Sequence, residues 1–311
     1  MYEERIRIAQ EGGDLEGEAA GHCNLGVFFK DRGRTNEAIT CMVRSLELDR
    51  RIGNDLRRCE SLAALGSVYL VTGEVKQAIA CYEEALGIMS GNEYHTQGAI
   101  LGNLASCWKI LGDRDRARTF YLDRIQLARR CEDQRGLALS LANWALFLSD
   151  DSPAEGLHAC REAIEIGINE PRIHGNILNI YGVVLRRTGD FDGAAAAFKN
   201  ALSVAQSIGD TVLRVGTLGH FGFLMAQRGD VLGATELFEE QRRIARDCGQ
   251  KRQEAWALDQ LSLQYAGRDL TRAIQYTESA LAIRQEIQDE KATAELQRRL
   301  NEWRESAEQQ G

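Results

Sequence analysis

A small residue recurs along this chain at a nearly constant interval, and that interval restricts the fold more than any single motif. Ala38, Ala78, Ala117, Gly156, Ala194, Ala234 and Ala273 are spaced by 40, 39, 39, 38, 40 and 39 residues. Four positions after each stands Met42, Tyr82, Tyr121, Cys160, Phe198, Phe238 or Thr277, most of them large and apolar. Upstream lies a second small set: Gly26, Gly66, Ala105, Ala145, Gly182, Gly222 and Ser262. Three positions on from each of these comes Phe29, Tyr69, Trp108, Leu148, Leu185, Met225 or Tyr265. Two ladders sharing one period describe seven copies of a unit too short to bury its own apolar faces, which must stack on copies of itself.

The stretch LGSVYLVTGEVKQAIACYEEALGI, residues 65–88, displays the unit most clearly. Leu65, Gly66 and Tyr69 share one face of a first helix, and Ala78, Tyr82, Ala85 and Leu86 share the inner face of a second. Gly73 before Glu74 supplies the left-handed residue that a sharp helix stop requires. Leu-Gly, an aromatic three residues after that Gly, a turn Gly, then Ala with an aromatic four on and Ala again at seven resembles the tetratricopeptide repeat. The copies are similar to its longer, roughly 40-residue variety. That variety occurs in kinesin light chains, in Pins/LGN polarity scaffolds and in C-terminal arrays of bacterial signalling proteins. The resemblance implies an all-α fold: a right-handed superhelical solenoid of seven helical hairpins, with a preceding half repeat and a C-terminal capping helix.

A length of 311 residues would suggest about two globular domains, but a repeat array is one body held by nearest-neighbour interfaces. The expected organisation is therefore a single array over 1–311, with a half repeat at 1–13, seven repeats over 14–289 and a capping helix at 290–311. Residues 3–14 carry the texture of a second helix, Gly13 lying 40 before Gly53. An array opening on half a repeat suggests truncation of a larger N-terminal portion, the alternative being a natural cap formed by that helix. Repeat four is irregular: its inter-helix turn, residues 149–153, has no Gly, and Pro153 suits the first turn of the next helix with Ser152 as its cap. Pro171 is expected to open the following helix, and a local change of superhelix twist is expected over residues 149–173. At the C-terminus, Ala294, Leu296, Leu300 and Trp303 form one narrow apolar stripe in an otherwise polar helix, the pattern of a solubilising cap.

The 38 basic and 46 acidic residues give a net charge of −8, which argues against nucleic acid as a ligand, since a phosphate backbone wants a basic stripe. No apolar run approaches the ~20 residues that span a bilayer, and residues 1–10 are no signal peptide. No membrane partner and a cytoplasmic location are expected. Cys41 and Cys81 are 40 apart, in one slot of successive repeats, and no CxxC occurs. The eight cysteines therefore read as small packing residues in a reducing compartment rather than a disulfide framework. No nucleotide-binding, hydrolase or metalloprotease motif is present, and the five histidines fall at unrelated repeat positions. The chain is expected to be no enzyme and to carry neither cofactor nor metal.

What remains is the inner groove, which by resemblance is lined by the first helix of each pair. The slots three before and one, four and five after the small residue give Cys23, Val27, Lys30 and Asp31 in repeat one, and Ala63, Ser67, Leu70 and Val71 in repeat two. In repeat three they give Gly102, Ser106, Lys109 and Ile110, in repeat five Asn179, Val183, Arg186 and Arg187, and in repeat six Gly219, Phe223, Ala226 and Gln227. A further ladder two residues before the small position contains Asn24, Asn103, Asn143 and His220, broken by Ala64 and Ile180. Asn offers both a donor and an acceptor, so such a column could hold an extended ligand or merely satisfy packing partners. The candidate binding residues are thus Asn24, Lys30, Asn103, Lys109, Asn143, Asn179, Arg186, Arg187, His220 and Phe223. Apolar surface with a few cations at its rim suits a protein or peptide with apolar anchors and some acidic side chains. The set of Lys, Asn and Arg with which some arrays clamp a C-terminal carboxylate is missing. The leading expectation is the sensor or scaffold part of a larger bacterial signalling protein, a reading favoured by 32 Arg against 6 Lys. The alternative is a freestanding adaptor that self-associates through its N-terminal end.

Overall fold

A computed structural model of the chain describes residues 2–32, 34–89, 93–287 and 289–308. Among them are sixteen helices, fourteen of which form seven consecutive pairs. A lone helix α1 (Tyr2–Gly12) precedes the hairpins α2 (Leu15–Asp31) with α3 (Thr35–Ile52), α4 (Asp55–Thr72) with α5 (Val75–Ile88), and α6 (Tyr94–Ile110) with α7 (Arg114–Arg130). Next come α8 (Gln134–Leu148) with α9 (Pro153–Glu165), α10 (Pro171–Thr188) with α11 (Phe191–Ser207), and α12 (Thr211–Gln227) with α13 (Val231–Asp247). The last pair is α14 (Lys251–Tyr265) with α15 (Leu270–Glu286), followed by α16 (Glu290–Glu308). The chain divides into two compact units, Met1–Ser140 and Leu141–Gly311.

The two ladders of the sequence turn out to be two sides of one contact. A Cβ built on Gly26 would lie 2.9 Å from the Met42 side chain, one on Gly66 2.8 Å from the Tyr82 ring, and those on Gly182 and Gly222 each 2.6 Å from the rings of Phe198 and Phe238. Each glycine thus removes a side chain so that the large residue of the second helix can lie against the backbone of the first. The ruler residues Ala38, Ala78, Ala117, Ala194, Ala234 and Ala273 have no exposed surface, nor have Met42, Tyr82, Phe198 and Phe238. Burying a side chain of that size stabilises by roughly 1.5–3 kcal/mol, repeated from hairpin to hairpin.

Turn chemistry sets where each helix starts. Gly13, Gly53, Gly112, Gly189, Gly209 and Gly229 take positive φ, and the Asp or Asn that follows each caps the next helix. Asp190 Oδ1, for example, accepts from the Gly193 N–H at 2.9 Å, satisfying a donor that the helix itself cannot. Buried polar groups then fix how one hairpin meets the next. Asp49 accepts from the Ser61 hydroxyl at 2.6 Å and from Arg57 Nε at 3.0 Å, while the Ser45 hydroxyl donates to the Ala19 carbonyl at 2.9 Å. At the equivalent junction before α14, Arg246 Nε donates to Glu254 at 2.7 Å, with the charges exchanged.

Pro153 and Pro171 open α9 and α10 as expected. Ser152 occupies the N-cap position, but its hydroxyl makes no capping bond. On α16, Leu296 and Leu300 are buried and Trp303 is half-buried, whereas Ala294 faces out; the residues of the expected cap beyond Glu308 lie outside the described ones. Cys41, Cys59, Cys107 and Cys160 are buried free thiols, and burial pushes Cys160 up to about 12. Cys248 is exposed, so the packing role expected of all eight does not extend to it. No helix is long and apolar enough to cross a membrane among the described residues.

Candidate functional site

Within each unit the first helix of one hairpin touches the first helix of the next: α2 meets α4 and α4 meets α6, while α10 meets α12 and α12 meets α14. First-helix side chains at matching positions therefore come to lie side by side on a shared face. The geometry is most developed between α10 and α12.

There Asn179 Oδ1 lies 3.0 Å from His220 Nδ1, a bond in which the imidazole N–H donates to the amide oxygen. Arg186 Nη1 donates to Gln227 Oε1 at 2.9 Å, and the Arg186 guanidinium carbon stands 4.8 Å from the centre of the Phe223 ring. Phe223 keeps 41% of its surface exposed, an apolar face held open beneath a cation. Among the described residues no carboxylate pairs with Arg186. Its pKa is lowered, by partial burial first and by the adjacent Arg187 second. Desolvation of the His220 ring by the surrounding protein, with Arg186 and Arg187 adding repulsion, brings that imidazole down to about 4. His220 is thus neutral near pH 7, although one edge of it reaches solvent.

Arg187, adjacent in sequence, is directed elsewhere. It pairs with Asp150 at 2.7 Å and donates to the Ser149 hydroxyl, both in the Gly-free turn between α8 and α9. Val183 is buried and offers a ligand little surface. The same unit also places Asn143 on α8, half-buried. At the slot that matches Phe223 on α14 stands Leu263, 44% exposed, which the sequence reading had not included.

In the first unit the corresponding positions do not assemble. Asn24 is exposed and Lys30 half-buried, and no hydrogen bond joins either to Asn103 among the described residues. Asn103 is half-buried near the hydroxyl of Tyr82, whose phenol is pushed up mainly by burial. Lys109 is exposed, with Val71 and Ile110 as exposed apolar neighbours in their own slots. The side chain of Asp31 lies outside the described residues.

The hairpin geometry and the sequence comparisons agree on the class. Residues 17–91 match the family profile described as Tetratricopeptide repeat, and the hairpins at Gly182–Phe198 and Gly222–Phe238 carry the same pairing of small and large residues. Regulatory protein AfsR of Streptomyces griseus is 24% identical over 206 residues, 65% of this chain and 20% of that protein. The chain thus spans about a fifth of the length of this curated relative. Yeast Tom70 superposes with a TM-score of 0.67 at 14% identity, over 99% of this chain and 59% of that one. A Signal Transduction ATPase with Numerous Domains from Pyrococcus horikoshii, described as having a tetratricopeptide repeat sensor, gives 0.58 at 15% identity, over 91% of this chain and 46% of the other. At such identities the likeness is one of fold.

Proposed function

We propose that the chain is a non-catalytic protein-interaction array, and that the face shared by α10 and α12 receives a protein segment presenting an acidic side chain beside an apolar anchor. The observation that carries this reading is Arg186, a guanidinium with an amide and an aromatic ring for neighbours but no carboxylate. A cation partly withdrawn from water and left without a counter-charge gains most from a carboxylate brought by a partner. Phe223 and Leu263 offer apolar contact at matching positions of adjacent helices, while the Asn179–His220 pair leaves amide N–H groups for a peptide backbone. In this reading the array is the sensor or scaffold portion of a longer regulatory protein. The similarity to part of a regulatory protein and to a signalling ATPase with a repeat sensor supports that role.

The test is a membrane-bound array of nonapeptides in which each apolar sequence appears with Glu, Gln or Lys at its centre. Glu-centred peptides should be retained over the Gln and Lys forms. Arg186→Ala should weaken that retention at least tenfold while leaving the helical circular dichroism unchanged; adding Arg187→Ala should add little, because Arg187 already has Asp150. Retention that is indifferent to the central charge, or untouched by Arg186→Ala, would place the binding surface elsewhere.

A further inference from the structure

The first unit contains a cleft of about 380 Å³ on the side where one hairpin follows another, with Arg124 in its wall reaching Gly102 among the slots considered above. Its walls come from the start of α6, the second half of α7 and the start of α8, and they include Tyr94, His95, Arg124, Leu127, Asp133 and Leu139. Arg124 is its distinctive feature. The side chain lies against α6 at Gly102, where the lack of a Cβ makes room for the guanidinium. Desolvation is the main influence on that guanidinium, and Tyr121 and Asp133 attract it through space. Asp133, the obvious counter-charge, is otherwise engaged. Its Oδ1 accepts from the Gly136 N–H at 2.9 Å as the cap of α8, and its Oδ2 lies 3.5 Å from His95 Nδ1.

We propose that this cleft is a binding site for a small monocarboxylate with an apolar body, its carboxylate on the Arg124 guanidinium and its body between Tyr94, Leu127 and Leu139. The volume is that of a small-molecule site. The planar fork of an arginine matches a carboxylate with two parallel N–H donors. A second guanidinium, Arg135, lines the cleft but is exposed and has a partner of its own, and the Asp133 carboxylate on the same wall disfavours a dianion such as a phosphate ester. The walls leave mixed apolar surface for the rest of the ligand, with the Tyr94 ring exposed at the rim and tilted against His95, ring centres 4.1 Å apart. These residues belong to the first unit and those of the protein-binding face to the second, so either proposal stands or falls without the other.

Isothermal titration of the full chain with 3-phenylpropionate, and with 3-phenylpropionamide as its uncharged isostere, tests the site. The acid should bind at least tenfold more tightly than the amide. Arg124→Gln should remove that preference, Arg124→Lys should keep part of it, and Arg186→Ala should leave it intact. An acetylated, amidated pentapeptide Ala-Ala-Glu-Phe-Ala serves to distinguish a free carboxylate from a protein side chain; it should bind at least tenfold more weakly than the acid. The acid–amide comparison needs no variant, so it decides the matter even if Arg124→Gln disturbs folding. Equal binding of acid and amide, binding of neither, a preference that survives Arg124→Gln or is lost in Arg186→Ala, or tighter binding of the pentapeptide would each overturn the assignment.

Discussion

Hairpins α8–α9 and α10–α11 solve the same packing problem with opposite choices. In α10–α11 the turn passes through Gly189 at φ 86°, and sixteen residues separate Gly182 from the Phe198 ring that lies on it. In α8–α9 no residue of the turn has positive φ, and the equivalent pair, Ala145 and Cys160, is one residue closer in sequence. The helices there approach so closely that a Cβ on Gly156 would lie 2.8 Å from the Ala145 carbonyl oxygen. Hairpin α14–α15 repeats the choice: its turn has no left-handed residue, and Ser262 pairs with Thr277 at the same shortened spacing. The spacing of each small–large pair and the size of the buried residue therefore vary together. Sixteen residues around a turn with a left-handed glycine accompany an aromatic ring between the helices, and fifteen around a turn without one accompany only a thiol or a threonine.

The strongest way to break this comparison is to remove the large residue. Phe198→Ala should cost about 3–5 kcal/mol in urea denaturation, because the ring is fully buried and the glycine beside it cannot refill the space. Cys160→Ala, at the matching position, should cost far less. Similar losses at both sites would mean that Phe198 does not carry the packing of its hairpin.

Gly156→Ala comes next, with an expected loss of roughly 1–3 kcal/mol. The atom its Cβ would meet belongs to the backbone of α8, which cannot rotate aside as a ring can. In the same assay Ala194→Gly, the reverse change at the ruler position of α11, should show no steric effect and lose only what glycine costs within a helix, about 1 kcal/mol. A neutral Gly156→Ala would show that α8 and α9 can separate to admit the methyl group.

Most of the fold could be read in the sequence because it rests on steric periodicity. Small residues at one interval and large ones at another specify both members of each Gly26–Met42 or Gly222–Phe238 contact, and they do so without reference to charge. The polar features were harder to read. Asp49 looks like any solvated carboxylate on a helix, yet it is buried between Ser61 and Arg57, and only the position of the next hairpin reveals that. The candidate site was legible in part: Asn179, Arg186, His220 and Phe223 do come together across α10 and α12. Arg187 occupies a correct slot, but its long side chain follows Asp150, a partner in another hairpin that slot rules cannot anticipate. Arg124 escaped notice because it stands on a second helix, where the repeat pattern suggests only solvated charge, while the cleft beside it is a property of three helices at once.

The smallest expected effect tests the turn chemistry itself. At the junction between α7 and α8 the left-handed position is held by Glu132, at φ 53°, where Gly13, Gly53, Gly209 and Gly249 stand at other junctions. The hydrogen bonds are the same: Asp133 N–H donates to the Ala128 carbonyl at 2.9 Å, as Asp210 does to Ala205 at 2.9 Å. A residue with a Cβ loses about 1–2 kcal/mol in that conformation, against roughly 0.5–1 kcal/mol of extra chain entropy that a glycine gives up on folding. Glu132→Gly should therefore raise stability by up to about 1 kcal/mol, and Glu132→Ala, which keeps the Cβ, should raise it by nothing. Because Asp133 and Arg124 are unchanged, carboxylate binding in the neighbouring cleft should persist in the glycine variant. If alanine and glycine stabilise alike, the benefit comes from deleting the carboxylate beside Asp133, and backbone strain has no part in it.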